Sequence, residues 1–163
     1  MTEQEMRKHR CCFTGHRPEK LNGTENEIAA ALRKTISEAV EDGFTTFISG
    51  MARGVDIWAA EQVLRIRQNN FAIHLICALP HPDFEMRWSR EWQKRYRVII
   101  EAADFVKVVC PSFLIGSYQA RNEWMIDHSA RLIAVYNGEA GGTRNTIEYA
   151  ERQGIQIIRI EDV

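Results

Sequence analysis

Short apolar runs rich in β-branched and aromatic residues recur along the chain, and longer segments with a helical repeat separate them. In the first helical segment, Ile28, Leu32, Ile36 and Val40 recur every four residues. The same repeat over 55–64 predicts a second helix, and three more are predicted near 86–102, 117–129 and 143–152. The predicted strands cover residues 10–14, 44–48, 72–79, 104–109, 131–136 and 155–160.

The alternation of strands and helices indicates βαβ units, which place parallel strands in one sheet. Several strands are almost entirely apolar, as expected when helices cover both faces of a parallel sheet. Gly43 and Gly154 stand where two of the helices are expected to end. We therefore predict an α/β fold: a single-domain, Rossmann-like, doubly wound and mainly parallel sheet with helices on both faces, over residues 1–163.

Small and polar residues concentrate where the predicted strands end. The first strand runs into TGHR at 14–17, the second into SGMARGVD at 49–56, and the fifth into NGEAGGTRNT at 137–146. Open parallel sheets bind ligands at this edge, and a glycine turn that opens a helix presents free N–H groups to an anion. The candidate ligand-binding residues are Gly15, His16, Arg17, Ser49, Gly50, Arg53, Gly54, Asp56, Asn137, Gly141, Gly142, Thr143, Arg144 and Thr146.

Phosphate or pyrophosphate is the anion that such loops favour. The carboxylates of Asp56 and Glu148 could instead take ribose hydroxyls or a base edge. For each glycine cluster the alternative is a plain turn without a ligand. His16 and Arg17 are either ligand groups or a surface pair.

The other histidines have plainer predicted roles. His74 lies in the middle of a predicted strand and is expected in the core. His9 and His128 are expected at the surface. His81 stands between two prolines at the ligand edge, and the sequence leaves its role open.

The overall composition excludes several classes of function. The 163 residues carry a formal net charge of -1, so no strong nucleic-acid-binding surface is expected. No apolar run approaches the roughly 18 residues that a membrane span needs, and no secretory segment is visible, so a cytoplasmic location is expected. The four cysteines lack C-x-x-C spacing, and three of them lie in apolar runs as expected of core residues. No metal site is predicted and no cofactor is required.

No G-x-S-x-G, Walker A, H-E-x-x-H or G-x-G-x-x-G motif is present at the expected positions. Four longer segments together make the chain resemble the SLOG superfamily, which includes the LOG phosphoribohydrolases and the DNA-processing protein DprA. Within it, the chain is most similar to the YpsA-like branch of small bacterial proteins. The segments are FTGHRPEKL (13–21), ISGMARGVDIWAAE (48–61), YQARNEWMID (118–127) and YNGEAGGTRNTIEYA (136–150).

The resemblance implies a nucleotide or ADP-ribose-like ligand held by glycine loops at the carboxyl edge of the sheet. In the LOG hydrolases a P-G-G-x-G-T-x-x-E motif supplies a catalytic glutamate, and an upstream arginine acts with it. By this resemblance, Glu148 and Arg121 are the candidate catalytic residues. The match is incomplete, because Ala140 replaces the proline and Arg144 replaces the third glycine.

Three hypotheses for function follow. The leading one is a protein that binds or senses a nucleotide or nucleotide-derived ligand. The second is a hydrolase that cleaves the N-glycosidic bond of a nucleoside monophosphate, with Arg121 orienting the substrate and Glu148 stabilising the developing charge. The third is a protein-interaction module with a vestigial pocket.

One helical segment is unusually aromatic. Trp88, Trp92 and Tyr96 recur every four residues, so they share a helix face. Three interpretations of the rings are open: core residues, a subunit interface that would make the protein a homodimer, or a stacking surface for a base. The loop before this helix follows the third strand, which puts its first turn nearest the ligand edge.

Overall fold

An all-parallel sheet forms the centre of the structure, a computed structural model that describes residues 1–161. In this part of the chain the strands are β1 (Arg10–Gly15), β2 (Thr46–Ser49), β3 (His74–Leu79), β4 (Phe105–Val108), β5 (Arg131–Val135) and β6 (Gln156–Ile160). The helices are α1 (Glu3–Arg7), α2 (Glu25–Glu41), α3 (Val55–Arg67), α4 (Arg90–Ala102), α5 (Ser117–Asp127) and α6 (Gly142–Gln153). The predicted α/β class is confirmed. None of these helices is both long and apolar enough to span a membrane.

The order of the strands locates the site. The sheet runs β4-β3-β2-β1-β5-β6, so the chain builds outward from β1 to β4 and then returns to the other side of β1. The direction in which the chain adds strands to the sheet reverses between β1 and β5, although the two strands are parallel. Their carboxyl ends border the crevice where open α/β sheets bind ligands. Gly15 at the end of β1 lies opposite Val135 at the end of β5.

The side chains of β1 alternate between two apolar cores, one on each face of the sheet. Cys11 and Phe13 pack with α2, α3 and α4, whereas Cys12 packs with α5 and α6. All three residues are fully buried. Burial raises the pKa of the Cys12 thiol to about 12, so it remains a neutral core group, as the apolar run predicts.

Two helices differ from the predictions. Helix α4 begins at Arg90 rather than near 86, because turns occupy 82–87 and the Ser89 side chain then caps the helix at the amide of Trp92. Trp88 therefore lies before the helix, at the carboxyl edge of the sheet. Helix α1 was not predicted, since its five residues bury no side chain and leave no apolar repeat.

The prediction that His74 lies in the core is wrong. His74 is the first residue of β3, and its side chain is 53% exposed. Its Nδ1 lies 3.5 Å from Oδ1 of Asp104. The apolar run begins at residue 72, before the regular strand does, so His74 is the first residue of β3 and lies at the amino end of the sheet.

Candidate functional site

A cavity of about 830 Å³ opens at the carboxyl edge of the sheet, above the ends of β1, β2 and β3 and beside the start of α6. Five stretches of chain line it: 14–20, 52–56, 81–88, 113–122 and 141–143. Its volume is within the range of small-molecule pockets, and its place is the crevice at the switch point between β1 and β5. Loops that are far apart in sequence therefore meet in one cavity.

A tight loop after β2 positions Asp56. The Ser49 hydroxyl accepts a hydrogen bond from the Met51 amide (3.2 Å) and donates one to the Asp56 carbonyl (2.8 Å). Gly54 has a φ of 91°, and a Cβ there would lie 2.8 Å from Cδ of Pro18. Glycine is therefore required at position 54 for conformation and for space. The loop ends in α3, with the Asp56 side chain facing the cavity from its first turn.

Asp56 and Arg121 form the buried polar centre of the cavity wall. Asp56 is 7% exposed and Arg121 is 5% exposed. Oδ2 of Asp56 accepts from the Ala52 amide (3.2 Å), but Oδ1 is buried without a hydrogen-bond partner among residues 1–161. Burial raises the pKa of Asp56 to about 6, against the opposing effect of the Arg121 charge.

Arg121 lies on α5, on the face of the sheet opposite to α3, which carries Asp56. Its Nη1 donates to the carbonyls of Gly50 and, at 3.5 Å, of Ala78, while Nε donates to Oδ1 of Asn122 (2.8 Å). The guanidinium therefore bridges the ends of β2 and β3. Burial lowers the pKa of Arg121, and the Asp56 charge opposes that shift.

His16 joins β1 to β5 at the switch point. Its ring stacks on Tyr136 at 5.6 Å, and its Nε2 accepts a hydrogen bond from the Asn137 amide (3.3 Å). Burial lowers the pKa of His16, which favours the neutral ring that can accept this bond. Asn137 also donates from Nδ2 to the Lys20 carbonyl (2.8 Å), which ties the segment after β1 to the segment before α6.

The start of α6 meets a lysine that sequence reasoning missed. A Cβ built on Gly141 would lie 3.7 Å from Nζ of Lys20, and Gly142 and Thr143 line the cavity beside it. The first amides of a helix lack intrahelical acceptors and carry the positive end of the dipole. An ammonium group beside them makes this end of the cavity favourable for an anion.

Aromatic rings form the opposite end. His81, Phe84 and Trp88 follow β3, and Phe113 and Tyr118 precede or open α5. The Phe84 ring lies 5.0 Å from Trp88, and Trp88 lies 5.7 Å from the buried Tyr96. Of the aromatic face noted in the sequence, Tyr96 and Trp92 pack against the core as one alternative predicted, whereas Trp88 also lines the cavity.

The predicted site residues divide into three groups. Those that line the cavity are Gly15, His16, Arg17, Arg53, Asp56, Arg121, Gly141, Gly142 and Thr143. Those that shape the loops from behind are Ser49, Gly50, Gly54, Asn137 and Thr146, whose hydroxyl donates to the Gly142 carbonyl at 2.8 Å. Arg144 and Glu148 lie outside the cavity and pair with each other at 3.3 Å.

Some cavity residues carried no clear sequence signal. Lys20 stands within the FTGHRPEKL segment, but nothing in its spacing relates it to Gly141. Tyr118 opens the YQARNEWMID segment, but nothing there relates it to His81. Phe113 follows β4, and the sequence after that strand lacks a glycine cluster of the kind that marked other loops. In residues 1–161, no group of three or more His, Cys, Asp or Glu side chains is arranged to hold a metal ion.

Comparison with known proteins identifies the family. The model of the YpsA family, described as the YspA SLOG family, matches residues 11–161. The chain belongs to this SLOG family. A UPF0398 protein of Halalkalibacterium halodurans is 31% identical over 118 residues, which are 71% of this chain and 62% of that protein.

Two solved structures share the fold of this SLOG protein. DNA processing protein A from Streptococcus pneumoniae matches with a TM-score of 0.67 and 18% identity, over 94% of this chain and 50% of that one. DNA processing protein A from Helicobacter pylori, described for its binding of single-stranded DNA, matches with a TM-score of 0.64 and 19% identity. That match covers 96% of this chain and 66% of the Helicobacter chain. The chain thus spans half to about two-thirds of these proteins.

Proposed function

We propose that the cavity binds a nucleotide-type ligand, with the phosphate at the start of α6 and the base toward the loop after β3. The observation that carries this proposal is the polarity of one continuous cavity: Lys20 and the α6 amides at one end, and aromatic rings at the other. The two ends are separated by the strands β5, β1, β2 and β3. Three strand spacings amount to about 14 Å, which suits a ligand with separate phosphate and base ends.

The anion end combines three contributions. The free amides of the first helical turn supply directed donors, and the helix dipole adds a favourable potential. Lys20 adds a mobile positive charge near Gly141. Arg17, also on the cavity wall, is exposed and able to reach a bound phosphate.

The middle of the cavity suits a sugar. Among residues 1–161, Oδ1 of Asp56 is a buried acceptor without a hydrogen-bond partner, and leaving it so costs about 1–3 kcal/mol. A ribose hydroxyl is a donor of the right kind to satisfy it. Arg53, which pairs with Glu19 at 2.8 Å, lies on the same wall and closes the cavity toward the segment after β1.

Thermal unfolding with inorganic pyrophosphate, AMP, ADP and ADP-ribose tests this proposal. A bound probe at a hundredfold excess over Kd stabilises the protein by about 2.7 kcal/mol. Lys20→Gln is expected to weaken binding about fivefold, or roughly 1 kcal/mol. The matched control is Lys34→Gln, an exposed lysine on α2 that does not line the cavity. No stabilisation by any probe would contradict the proposal and favour the interaction module.

Single-stranded DNA is a second candidate ligand, because a structural neighbour is described as binding it. The cavity wall carries Arg17, Arg53, Arg87, Arg121 and Lys20, a local excess of positive groups. The formal net charge of -1 weighs against a strong electrostatic attraction over the whole surface. A mononucleotide therefore remains the preferred ligand, and short oligonucleotides belong in the same titrations.

A further inference from the structure

We propose that the aromatic end of the cavity is a base subsite in which Nε2 of His81 selects a nucleobase that carries an exocyclic amino group. This inference rests on the proposed function, because it specifies the base of the same ligand. It assigns a role to a residue whose role the sequence left open.

The hydrogen bond of the His81 ring determines its tautomer. Nδ1 lies 2.7 Å from the carbonyl oxygen of Pro82. A carbonyl oxygen only accepts, so Nδ1 carries the proton, and in the neutral ring Nε2 is then an acceptor. This Nε2 is buried and has no hydrogen-bond partner in the described part of the chain. The site therefore lacks one donor, which a ligand can supply.

Three aromatic rings pack against the His81 ring in edge-to-face arrangements. The distances between ring centroids are 5.1 Å to Phe113, 5.9 Å to Tyr118 and 6.1 Å to Phe84. Flat apolar walls with one directed polar atom are the usual lining of a site for a planar heterocycle. Phe113 is 64% exposed, so its ring can move aside at little cost in buried area and admit a base to Nε2.

The backbone beside His81 is strained. Asp83 has a φ of 60°, an unusual value for a residue other than glycine. Such conformations persist only where the surrounding structure holds them, and they cluster at ligand clamps. Phe84, the next residue, is buried against Trp88 and Tyr96 and anchors the loop. His81 is thus carried by a loop that the buried Phe84 ring anchors to the core, which favours a selective contact.

Three pairs of nucleotides test the selection, because the members of each pair differ by one amino group. They are AMP and purine riboside 5′-monophosphate, GMP and IMP, and CMP and 2-pyrimidinone riboside 5′-monophosphate. Isothermal titration of the whole chain is expected to show, in at least one pair, that the amino-bearing member binds about tenfold tighter. Inorganic pyrophosphate, which has no base, measures the anion end alone.

His81→Phe keeps an aromatic ring and removes the acceptor. We expect this variant to bind both members of the selective pair within about twofold of each other and to bind pyrophosphate as the unmodified protein does. The matched control is His74→Phe, the same change at the exposed amino end of β3, which is expected to keep the preference.

The outcomes separate this inference from the proposed function. If nucleotides bind but no pair shows a preference, or if His81→Phe keeps the preference, the base subsite is refuted and the nucleotide site stands. If neither pyrophosphate nor any nucleotide binds, the proposed function is refuted and the base subsite with it. A preference that the unmodified protein and His74→Phe share, and that His81→Phe lacks, supports both the base subsite and the nucleotide site.

Discussion

Nη1 of Arg121, on α5, donates a hydrogen bond to the carbonyl oxygen of Gly50, the residue that directly follows β2. A Cβ built on Gly50 would lie 3.0 Å from Cζ of Arg121 and 3.0 Å from Oδ2 of Asp56. The guanidinium, the glycine and the carboxylate are therefore packed against one another. This contact connects the two helix layers at the floor of the cavity, so it affects stability and binding together.

Replacing Arg121 with methionine removes the donor and keeps much of the apolar stem. The carbonyl of Gly50 would lose its partner, and the buried Asp56 would lose the nearby positive charge. We expect Arg121→Met to reduce the free energy of unfolding by roughly 2–4 kcal/mol, as measured by urea denaturation. Arg144→Met, at an exposed pair with Glu148, should change it by no more than about 0.5 kcal/mol. Equal losses in both variants would contradict this account.

Asp56 should make stability depend on pH. Its pKa is raised from 3.8 to about 6 in the folded state, so the folded protein holds a proton that the unfolded chain has released between these values. The contribution of Asp56 to stability is therefore greatest below about pH 4, falls as pH rises toward 6, and is lower by on the order of 3 kcal/mol above it. Asp56→Asn removes this contribution while its amide oxygen can still accept from Ala52. Unfolding curves between pH 4 and 8 should show the stability of Asp56→Asn relative to the unmodified protein rising with pH; a constant difference would contradict the assignment.

Alanine substitutions at Gly15 and Gly142 distinguish an effect on core packing from an effect on ligand binding. A Cβ on Gly15 would lie 2.5 Å from the side chain of Val55, so Gly15→Ala should displace the start of α3 and cost about 1–3 kcal/mol of stability. A Cβ on Gly142 would meet no atom of residues 1–161 within 4 Å. Gly142→Ala should therefore keep its melting temperature and lose affinity for pyrophosphate, because the methyl group occupies the anion end. Thermal unfolding measures the stability of both variants, and titration measures their affinity for pyrophosphate. If Gly142→Ala binds pyrophosphate as tightly as the unmodified protein, position 142 lies away from the ligand.

The hydrolase hypothesis predicts release of a free base from nucleoside monophosphates, which chromatography detects. Glu148 lies outside the cavity, whereas Asp56 is the carboxyl group on the wall beside Arg121. If release occurs, we expect Asp56→Asn to reduce it at least 100-fold and Glu148→Gln to leave it nearly unchanged. A loss confined to Glu148→Gln would instead support the role that the LOG resemblance implies. No release from any nucleotide that binds would favour a binding or sensing protein.

Binding to single-stranded DNA should be weak if a mononucleotide is the ligand. With a net charge of -1, we expect a deoxythymidine oligonucleotide to bind no tighter than about 1 μM at about 0.15 M salt. Fluorescence anisotropy over a range of salt concentrations measures both the affinity and the number of phosphate contacts. Nanomolar binding with a steep dependence on salt would favour the DNA candidate.

Much of the architecture could be predicted from local patterns. The four-residue repeat from Ile28 to Val40 identified α2, since one face of that helix packs on the sheet. Gly154 ends α6 in a left-handed conformation with a φ of 74°, as its position predicted. The aromatic repeat predicted a helix that began before Trp88, whereas α4 begins at Arg90, after the Ser89 cap. A repeat of apolar residues does not show where a capping residue starts the helix.

The grouping of the polar strand ends was also predictable, because parallel strands bring all their carboxyl ends to one edge. Arg17, Arg53 and Gly142 line a single cavity in the structure. Lys20 beside Gly141 and the rings around His81 were not predictable. These neighbours come from loops whose paths depend on the packing of many side chains, and no repeat in the sequence encodes those paths.

By itself, the sequence determined the fold class, the edge of the sheet that carries the polar loops, and the glycine-led start of α6, since each follows from short-range periodicity and turn chemistry. Only the tertiary structure decided that Glu148 pairs with Arg144 outside the cavity. Asp56 and His81, in contrast, are buried in the cavity wall, and each has one atom without a hydrogen-bond partner in the described part of the chain. Burial and hydrogen-bond satisfaction depend on groups that are distant in sequence, such as Arg121 and Gly50. They arise only when the helix layers close on the sheet.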